Sequence, residues 1–293
     1  MRVFVLGGTG SIGGPLVRCL VRRGHGVMAL ARSPGSADRL RDAGADPVDG
    51  DIADPGPWID ALDKADAVIH AASTFGDDMA VIDRRLMDAA IARLGARDDR
   101  PGLVYTGGCW LFGDTGGFVI DETAPFDAFP SDAWATEGIS TLLSAPGIQA
   151  MVVHPAMVYD GVGGVFGQFS ESARAGGPVP VTQSAETYWP LVHADDLAEL
   201  YALIVERPQS GTQYHGSTIE GVQVGEIARA IARRFGVPEE LRVVPVEDDI
   251  AMLGAWARGR AVSQRMSGAR AMRELGWNPV HRDVFADIAA AEI

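Results

Sequence analysis

The chain opens on RVFVL, residues 2–6, a β-branched run that leads directly into GGTGSIG, residues 7–13. PLVRCLVRRG follows, with apolar residues at helical spacing up to Gly24. A strand, a glycine-rich turn and a helix in that order leave few folds open. Gly7, Gly10 and Gly13 form G-x-x-G-x-x-G. Glycine permits a tight turn there and a close approach of the backbone to a pyrophosphate. The N-terminus of the next helix then offers free N–H groups and the positive end of its dipole. Three spaced glycines in this setting predict a dinucleotide site, which a merely structural turn would not require.

The alternation continues. HGVMALA (25–31) reads as a second strand, SADRLRDAG (36–44) as a helix closed by glycine, and ADPVDGD (45–51) as a short third strand. DPGPWIDALDKA reads as a helix with proline near its start, DAVIHAA (66–72) as a strand, and DMAVIDRRLMDAAIARLG (78–95) as a long helix. GLVYTGG (102–108) is a fifth strand; a helix near 132–145 leads to the strand QAMVVHP (149–155). This pattern predicts an α/β fold: a Rossmann doubly wound parallel sheet with helices on both faces. After Tyr159 the pattern loosens into glycine-rich, irregular sequence. The expected division is a dinucleotide-binding domain over 1–160, with 189–216 returning to it, and a smaller C-terminal substrate lobe of 161–188 and 217–293.

The formal charge of −14 opposes binding to nucleic acid, whose phosphates would repel the chain. No apolar run reaches the ~18 residues that a membrane span needs. Strand-like sequence begins at Arg2, leaving no room for a signal peptide, and Cys19 and Cys109 are too few for a disulfide framework or a metal cluster. A cytoplasmic protein acting on a small-molecule substrate, with no metal, is the expectation; the oligomeric state is left open.

The end of the second strand bears on the cofactor. A carboxylate there would hold a free ribose 2′-hydroxyl. Ala31 takes that place and Arg32 and Ser33 follow. A guanidinium can pair with a 2′-phosphate and stack on adenine, so NADPH is favoured over NADH. Asp51, with Ile52, is either a grip on the adenine edge or a helix N-cap.

In GGTGSIG, GDIADP (50–55), VIHAAS (68–73), HPAMVYDG (154–161), WPLVHADDLA (189–198) and LGWNP (275–279) the chain resembles the extended short-chain dehydrogenases/reductases, a family that includes nucleotide-sugar epimerases and dehydratases. The resemblance covers nearly the whole chain. It implies NAD(P) contacts from Gly7, Thr9, Gly10, Ser11, Ile12, Gly13, Arg32, Ser33, Asp51, Ile52, Ala71, Ala72, Ser73 and Thr106, and from His154, Pro155, Ala156 and Met157 near the nicotinamide. It also implies a catalytic Ser or Thr after the fifth strand and a Tyr-x-x-x-Lys pair on the next helix, in which Tyr gives the proton and Lys lowers its pKa.

The chain departs from this set. Gly108 stands at the serine position, and the pair falls on Trp134 and Gly138 in one register or Ser131 and Ala135 in another. No tyrosine lies between Tyr105 and Tyr159, and Lys64 is the only lysine. In lacking the pair the chain resembles some polyketide-tailoring ketoreductases of antibiotic biosynthesis. Thr106, Tyr159 and Tyr188 are the candidate catalytic side chains, each with a packing role as the plainer reading. His154 reads as structural, His193 as a brace partnered with Asp196, and Cys109 as a thiol without a basic neighbour. Trp110, Trp134, Phe166, Phe169, Tyr188 and Trp189 lean toward a flat aromatic substrate, although core packing accounts for at least half of them. The expected function is an NADPH-dependent ketoreductase whose proton comes from the substrate's own phenol or from water. The alternatives are a non-catalytic NADP-binding sensor and an epimerase or dehydratase of the nucleotide-sugar type.

Overall fold

The computed structural model describes every residue from Met1 to Ile293, in two compact units. The first comprises Met1–Gly107, Asp132–His154 and Leu197–Tyr214. Its sheet has seven strands: β1 (Arg2–Leu6), β2 (Gly26–Ala31), β3 (Asp46–Asp49), β4 (Ala67–His70), β5 (Gly102–Thr106), β6 (Gln149–Pro155) and β7 (Thr212–Gly216). Their order is β7-β6-β5-β4-β1-β2-β3, and every pairing from β6 to β3 is parallel. The chain starts at the centre, runs out through β2 and β3, then returns to β4 on the other side of β1. The reversal between β1 and β4 is where open α/β sheets bind ligands, at the carboxyl ends of the strands. All of β4 and all of β1 beyond Arg2 are buried, which explains apolar runs in place of alternation.

Helices α1 (Gly13–Arg22), α2 (Pro34–Asp42), α3 (Met79–Gly95), α4 (Ala133–Leu143) and α5 (Ala194–Glu206) flank the sheet. Local chemistry sets their ends. Pro34 fills the first turn of α2, and the Ser33 hydroxyl accepts the Ser36 N–H at 3.2 Å. The helix expected after β3 is instead a 3₁₀ segment, Ile59–Lys64. Pro55 and Pro57 remove two backbone donors just before it, and the Trp58 indole N–H is committed to the Asp51 carbonyl at 2.8 Å.

The second unit comprises Gly108–Ser131, Pro155–Asp196 and His215–Ile293. It therefore takes residues 108–131, 155–160, 189–196 and 215–216, which the sequence reading assigned to the first domain. The reason is strand pairing. Met157–Asp160 lies parallel to Tyr188–His193 in a separate four-stranded sheet, with Met157 opposite Leu191. Residues 108–131 are held by the C-terminal part: the Gln264 amide donates to the Cys109 and Gly113 carbonyls at 2.8 and 2.7 Å, and Val119–Ile120 pairs with Arg265–Met266. Tyr159, Phe166, Phe169 and Trp189 form a stacked ladder in the core of this unit, each 1% exposed or less.

Asp196 closes the unit. Its carboxylate accepts the backbone N–H groups of Val280 and His281, both at 2.9 Å, and its carbonyl accepts the Trp277 indole N–H at 2.9 Å. This explains why the run WPLVHADDLA and the distant LGWNP occur in one chain. We expect Asp196→Ala to lower unfolding free energy by ~2–4 kcal/mol, since two charge-assisted hydrogen bonds are lost. Chemical denaturation of both proteins checks this, and a loss below ~0.5 kcal/mol, the level of an ordinary surface change, would remove Asp196 from that role.

Candidate active site

At the end of β1, Gly7 adopts φ +86°, and a Cβ there would lie 2.5 Å from the Ala71 carbonyl oxygen. A Cβ on Gly13 would lie 2.0 Å from the Gly7 carbonyl oxygen. These two glycines are thus required by the close packing of β1, the loop and the start of α1 against the end of β4. Gly10 is different: its Cβ position meets only the Gly7 carbonyl oxygen, at 3.4 Å, and the residue is exposed. Its freedom from side-chain bulk serves the outer side of the loop. The N-cap residue of α1, Ile12, makes no side-chain cap, and no acid stands in the first turn. The Gly14 N–H is taken by the Gly10 carbonyl at 2.9 Å and Pro15 has none, so the Gly13 N–H and the positive dipole end are what the first turn of α1 offers an anion. The cradle fits a dinucleotide pyrophosphate.

On the adenine side, Ala31 is buried and Arg32 is exposed directly after β2. Ser33, expected as a cofactor contact, uses its hydroxyl to cap α2. Asp51 is half-buried; its carboxylate accepts the Ala53 N–H at 2.9 Å. Ala71 and Ala72 are half-buried and Ser73 exposed after β4. Behind them is a buried set that sequence reasoning missed. His70 shares Asp83 of α3 with the Tyr105 phenol, at 2.9 and 3.1 Å, and the Ala72 N–H points to His70 Nδ1 at 3.4 Å. Burial, and then Asp83, push the Tyr105 phenol well above its usual pKa.

Thr106 ends β5, half-buried, with its hydroxyl 2.6 Å from that of Tyr201 on α5. Gly107 follows under the His154 ring, where a Cβ would lie 2.5 Å from Nδ1. His154 is fully buried and its Nε2 meets the Gln213 side-chain oxygen at 2.8 Å. It is a packing residue rather than a surface for cofactor. Pro155, Ala156 and Met157 are also buried. At Gly108 the backbone is extended and a Cβ would meet nothing within 4 Å. Gly138, on the exposed face of α4, is equally open, and α4 (AWATEGISTLL) holds neither tyrosine nor lysine.

One of the candidate acids and the thiol are tied up. Tyr159 has no exposed surface, and its hydroxyl donates to Asp287 at 2.6 Å; burial drives its pKa up. Cys109 is buried, which pushes its thiol up to about 12. Tyr188 remains half-buried, with the Arg265 guanidinium 4.2 Å over its ring. His193 does not pair with Asp196 as expected. Its Nδ1 accepts the Asp195 N–H at 3.2 Å, and its ring lies 3.6 Å from the His281 ring at an interplanar angle of 15°. Burial, then the charge of His281, lowers its pKa. His193, Asp195 and His281 bring ligand-type atoms within 4.8 Å, but the imidazoles lie face to face, so their lone pairs run side by side instead of converging on one ion. Of the six aromatics singled out, Phe166, Phe169 and Trp189 are core; Trp110, Trp134 and Tyr188 are half-buried. Trp110 stacks on Trp256 at 5.9 Å.

Residues 3–219 match the NAD dependent epimerase/dehydratase family. The chain is 29% identical over 301 residues to an uncharacterized protein, C2A9.02, of Schizosaccharomyces pombe, covering 99% of each. It is 28% identical over 315 residues to the 3-diazoavenalumate denitrifying reductase of a Streptomyces species, covering 96% of this chain and 97% of the reductase. The crystal structure of the human epimerase family protein SDR39U1 with NADPH has the same fold: TM-score 0.79, 20% identity, and 99% and 98% of the two chains covered.

Gly10→Val is expected to leave the melting temperature of the protein within a few degrees, because its Cβ meets a single atom, while abolishing dinucleotide binding by filling the pyrophosphate space. Fluorescence titration with NADPH and NADH checks this. Undiminished binding would mean that the phosphates lie elsewhere.

Proposed function

Because the chain belongs to the NAD dependent epimerase/dehydratase family, we propose that it is an NADPH-dependent reductase of a ketone in an aromatic, polyketide-like small molecule. It works without a Tyr-Lys pair, and the proton comes from the substrate or an ordered water. The observation that carries this reading is that Gly10 leaves open space on the loop after β1, as a pyrophosphate needs, whereas neither register expected for the Tyr-Lys pair, Trp134 and Gly138 or Ser131 and Ala135, supplies those residues, and Gly108 stands for the serine.

Gly7, Gly10, Ser11, Ile12 and Gly13 would hold the pyrophosphate at the start of α1. Arg32, exposed after β2 where an acid would otherwise stand, would pair with the 2′-phosphate. Asp51 and Ile52 would border the adenine, and Ala71, Ala72 and Ser73 the nicotinamide half. NADPH, when bound, supplies the hydride that reduces the carbonyl carbon, and a proton must then reach the carbonyl oxygen. Alignment of the reacting groups supplies ~7–11 kcal/mol in favourable cases, enough to sustain catalysis without a dedicated acid. A ketone beside a phenol brings its own proton. Trp110 and Tyr188, both in the second unit, are half-buried aromatic side chains of the kind such a ring system packs on. The full-length similarity to a denitrifying reductase supports a reductive reaction in general. A narrower likeness, to the angucyclinone ketoreductase of simocyclinone biosynthesis, rests on the shared absence of the pair.

Arg32→Ala should weaken NADPH binding by ~1–3 kcal/mol, the worth of a charge-assisted hydrogen bond, and leave NADH binding nearly unchanged. Calorimetric titration of both cofactors tests the assignment, and equal losses would overturn it. A dedicated side-chain acid contributes ~10²–10⁴-fold, so Tyr188→Phe should lower single-turnover reduction by less than about tenfold. For an ortho-hydroxyaryl ketone that is reduced, the methyl ether should bind yet react far more slowly. Equal rates for phenol and ether would leave water as the donor.

A further inference from the structure

Thr106 is the last residue of β5, and Gly107 and Gly108 follow it, so its hydroxyl is the only side-chain donor at the carboxyl end of that strand. That end of the sheet is where ligands of such folds bind. The Thr106 hydroxyl lies 2.6 Å from the Tyr201 hydroxyl. The two are 95 residues apart in sequence, and Tyr201 has no exposed surface. A phenol is a stronger donor and a weaker acceptor than an aliphatic alcohol. Either hydroxyl can donate across this contact; donation from the phenol fixes the threonine side chain and leaves the threonine's own hydrogen for a second partner. Thr106 Oγ1 has no other hydrogen-bond partner in the protein.

We infer that Tyr201 is a positioning residue that sets the Thr106 hydroxyl as the donor to the substrate's carbonyl oxygen. This rests on the proposed ketone reduction. Tyr201 touches no substrate, because it is fully buried, and acts only through Thr106. It is not the missing proton source. Burial raises its pKa, Thr106 is its single hydrogen-bond partner, and no path returns a proton to it. The pair orients and polarises the carbonyl, while the proton arrives from substrate or water. A donor chain of two hydroxyls strengthens its outer member, since each hydrogen bond polarises the next.

The test reads the carbonyl directly. The probe is 1-tetralone labelled with ¹³C at its carbonyl, an aryl ketone with no phenol of its own, bound with NADP⁺ so that no reduction takes place. In difference infrared spectra the carbonyl band of the wild-type complex should lie at lower wavenumber than in Thr106→Val. Tyr201→Phe should fall between the two, and Thr106→Ser should match wild type. Placing 2,3-difluorotyrosine at position 201 keeps the shape and strengthens the donor, so the band should move further down. This variant also serves if Tyr201→Phe folds poorly. In single turnover with NADPH, Tyr201→Phe should slow reduction about fivefold, one neutral hydrogen bond, with KM unchanged. The same band position in wild type, Thr106→Val and the fluorinated protein, with the probe bound in all three, would overturn the inference while leaving ketone reduction standing. Failure of the wild-type NADP⁺ complex to bind any aryl ketone, by saturation-transfer NMR, would overturn the functional reading itself and this inference with it.

Discussion

The carbonyl oxygen of Gly7 occupies the space where a side chain on Gly13 would begin, 2.0 Å from the Cβ position, and Gly7 itself is pressed against the backbone of Ala71. This contact lets β1, the loop and the first turn of α1 lie against the end of β4. Any larger residue at either place would push the helix away from the sheet. The helix end that results has no side-chain cap and no acid in its first turn. Within that first turn the Gly14 N–H is taken by the Gly10 carbonyl at 2.9 Å and Pro15 has none, so the Gly13 N–H and the dipole end are what is left for water or a ligand anion. The reversal of strand order between β1 and β4 puts that end at the carboxyl edge of the sheet. The cofactor half of the site follows from these constraints.

The catalytic half is loosely constrained by comparison. A Cβ at Gly108 or Gly138 would meet nothing within 4 Å. Packing therefore leaves room for a Cβ at both places. The neighbouring polar groups are committed elsewhere. His154 is buried on Gln213, Tyr159 donates to Asp287, and the Cys109 thiol is held protonated by burial. What survives at the end of β5 is one threonine hydroxyl and the buried phenol behind it. On the reading proposed above, such a site would bind and orient, and would take its proton from substrate or water.

The strand–helix alternation was legible because the central strands β1, β4, β5 and β6 are buried almost throughout and read as apolar runs, and the glycine triplet because its spacing is local. Other features depend on pairs far apart in the chain. Thr106 and Tyr201, 95 residues apart, meet only because β5 and α5 pack together. Asp83 reaches His70 and Tyr105 across 13 and 22 residues, with nothing in the local pattern to mark it. The unit boundary was misplaced because Met157–Asp160 reads as a continuation of β6, when its partner is Tyr188–His193. The aromatics could not be sorted by composition: Phe169 and Trp189 stack in the core, whereas Trp110 retains exposed surface. The brace assigned to His193 belongs to the Asp196 carboxylate, one helical turn into α5, which binds backbone groups that no side-chain pattern reveals.

The account stands on hydride transfer occurring in a site that lacks a side-chain acid. The most direct measurement uses NADPH carrying deuterium at both C4 positions of the nicotinamide, incubated with the protein and a panel of ortho-hydroxyaryl ketones, and reads the product by mass spectrometry and ¹H NMR. The account predicts one deuterium on the carbinol carbon of the alcohol, none on the ring or the α-carbon, and one NADP⁺ formed per alcohol. Tight binding of NADPH with no label transferred to any ketone would contradict it and leave a protein that holds the cofactor without using it.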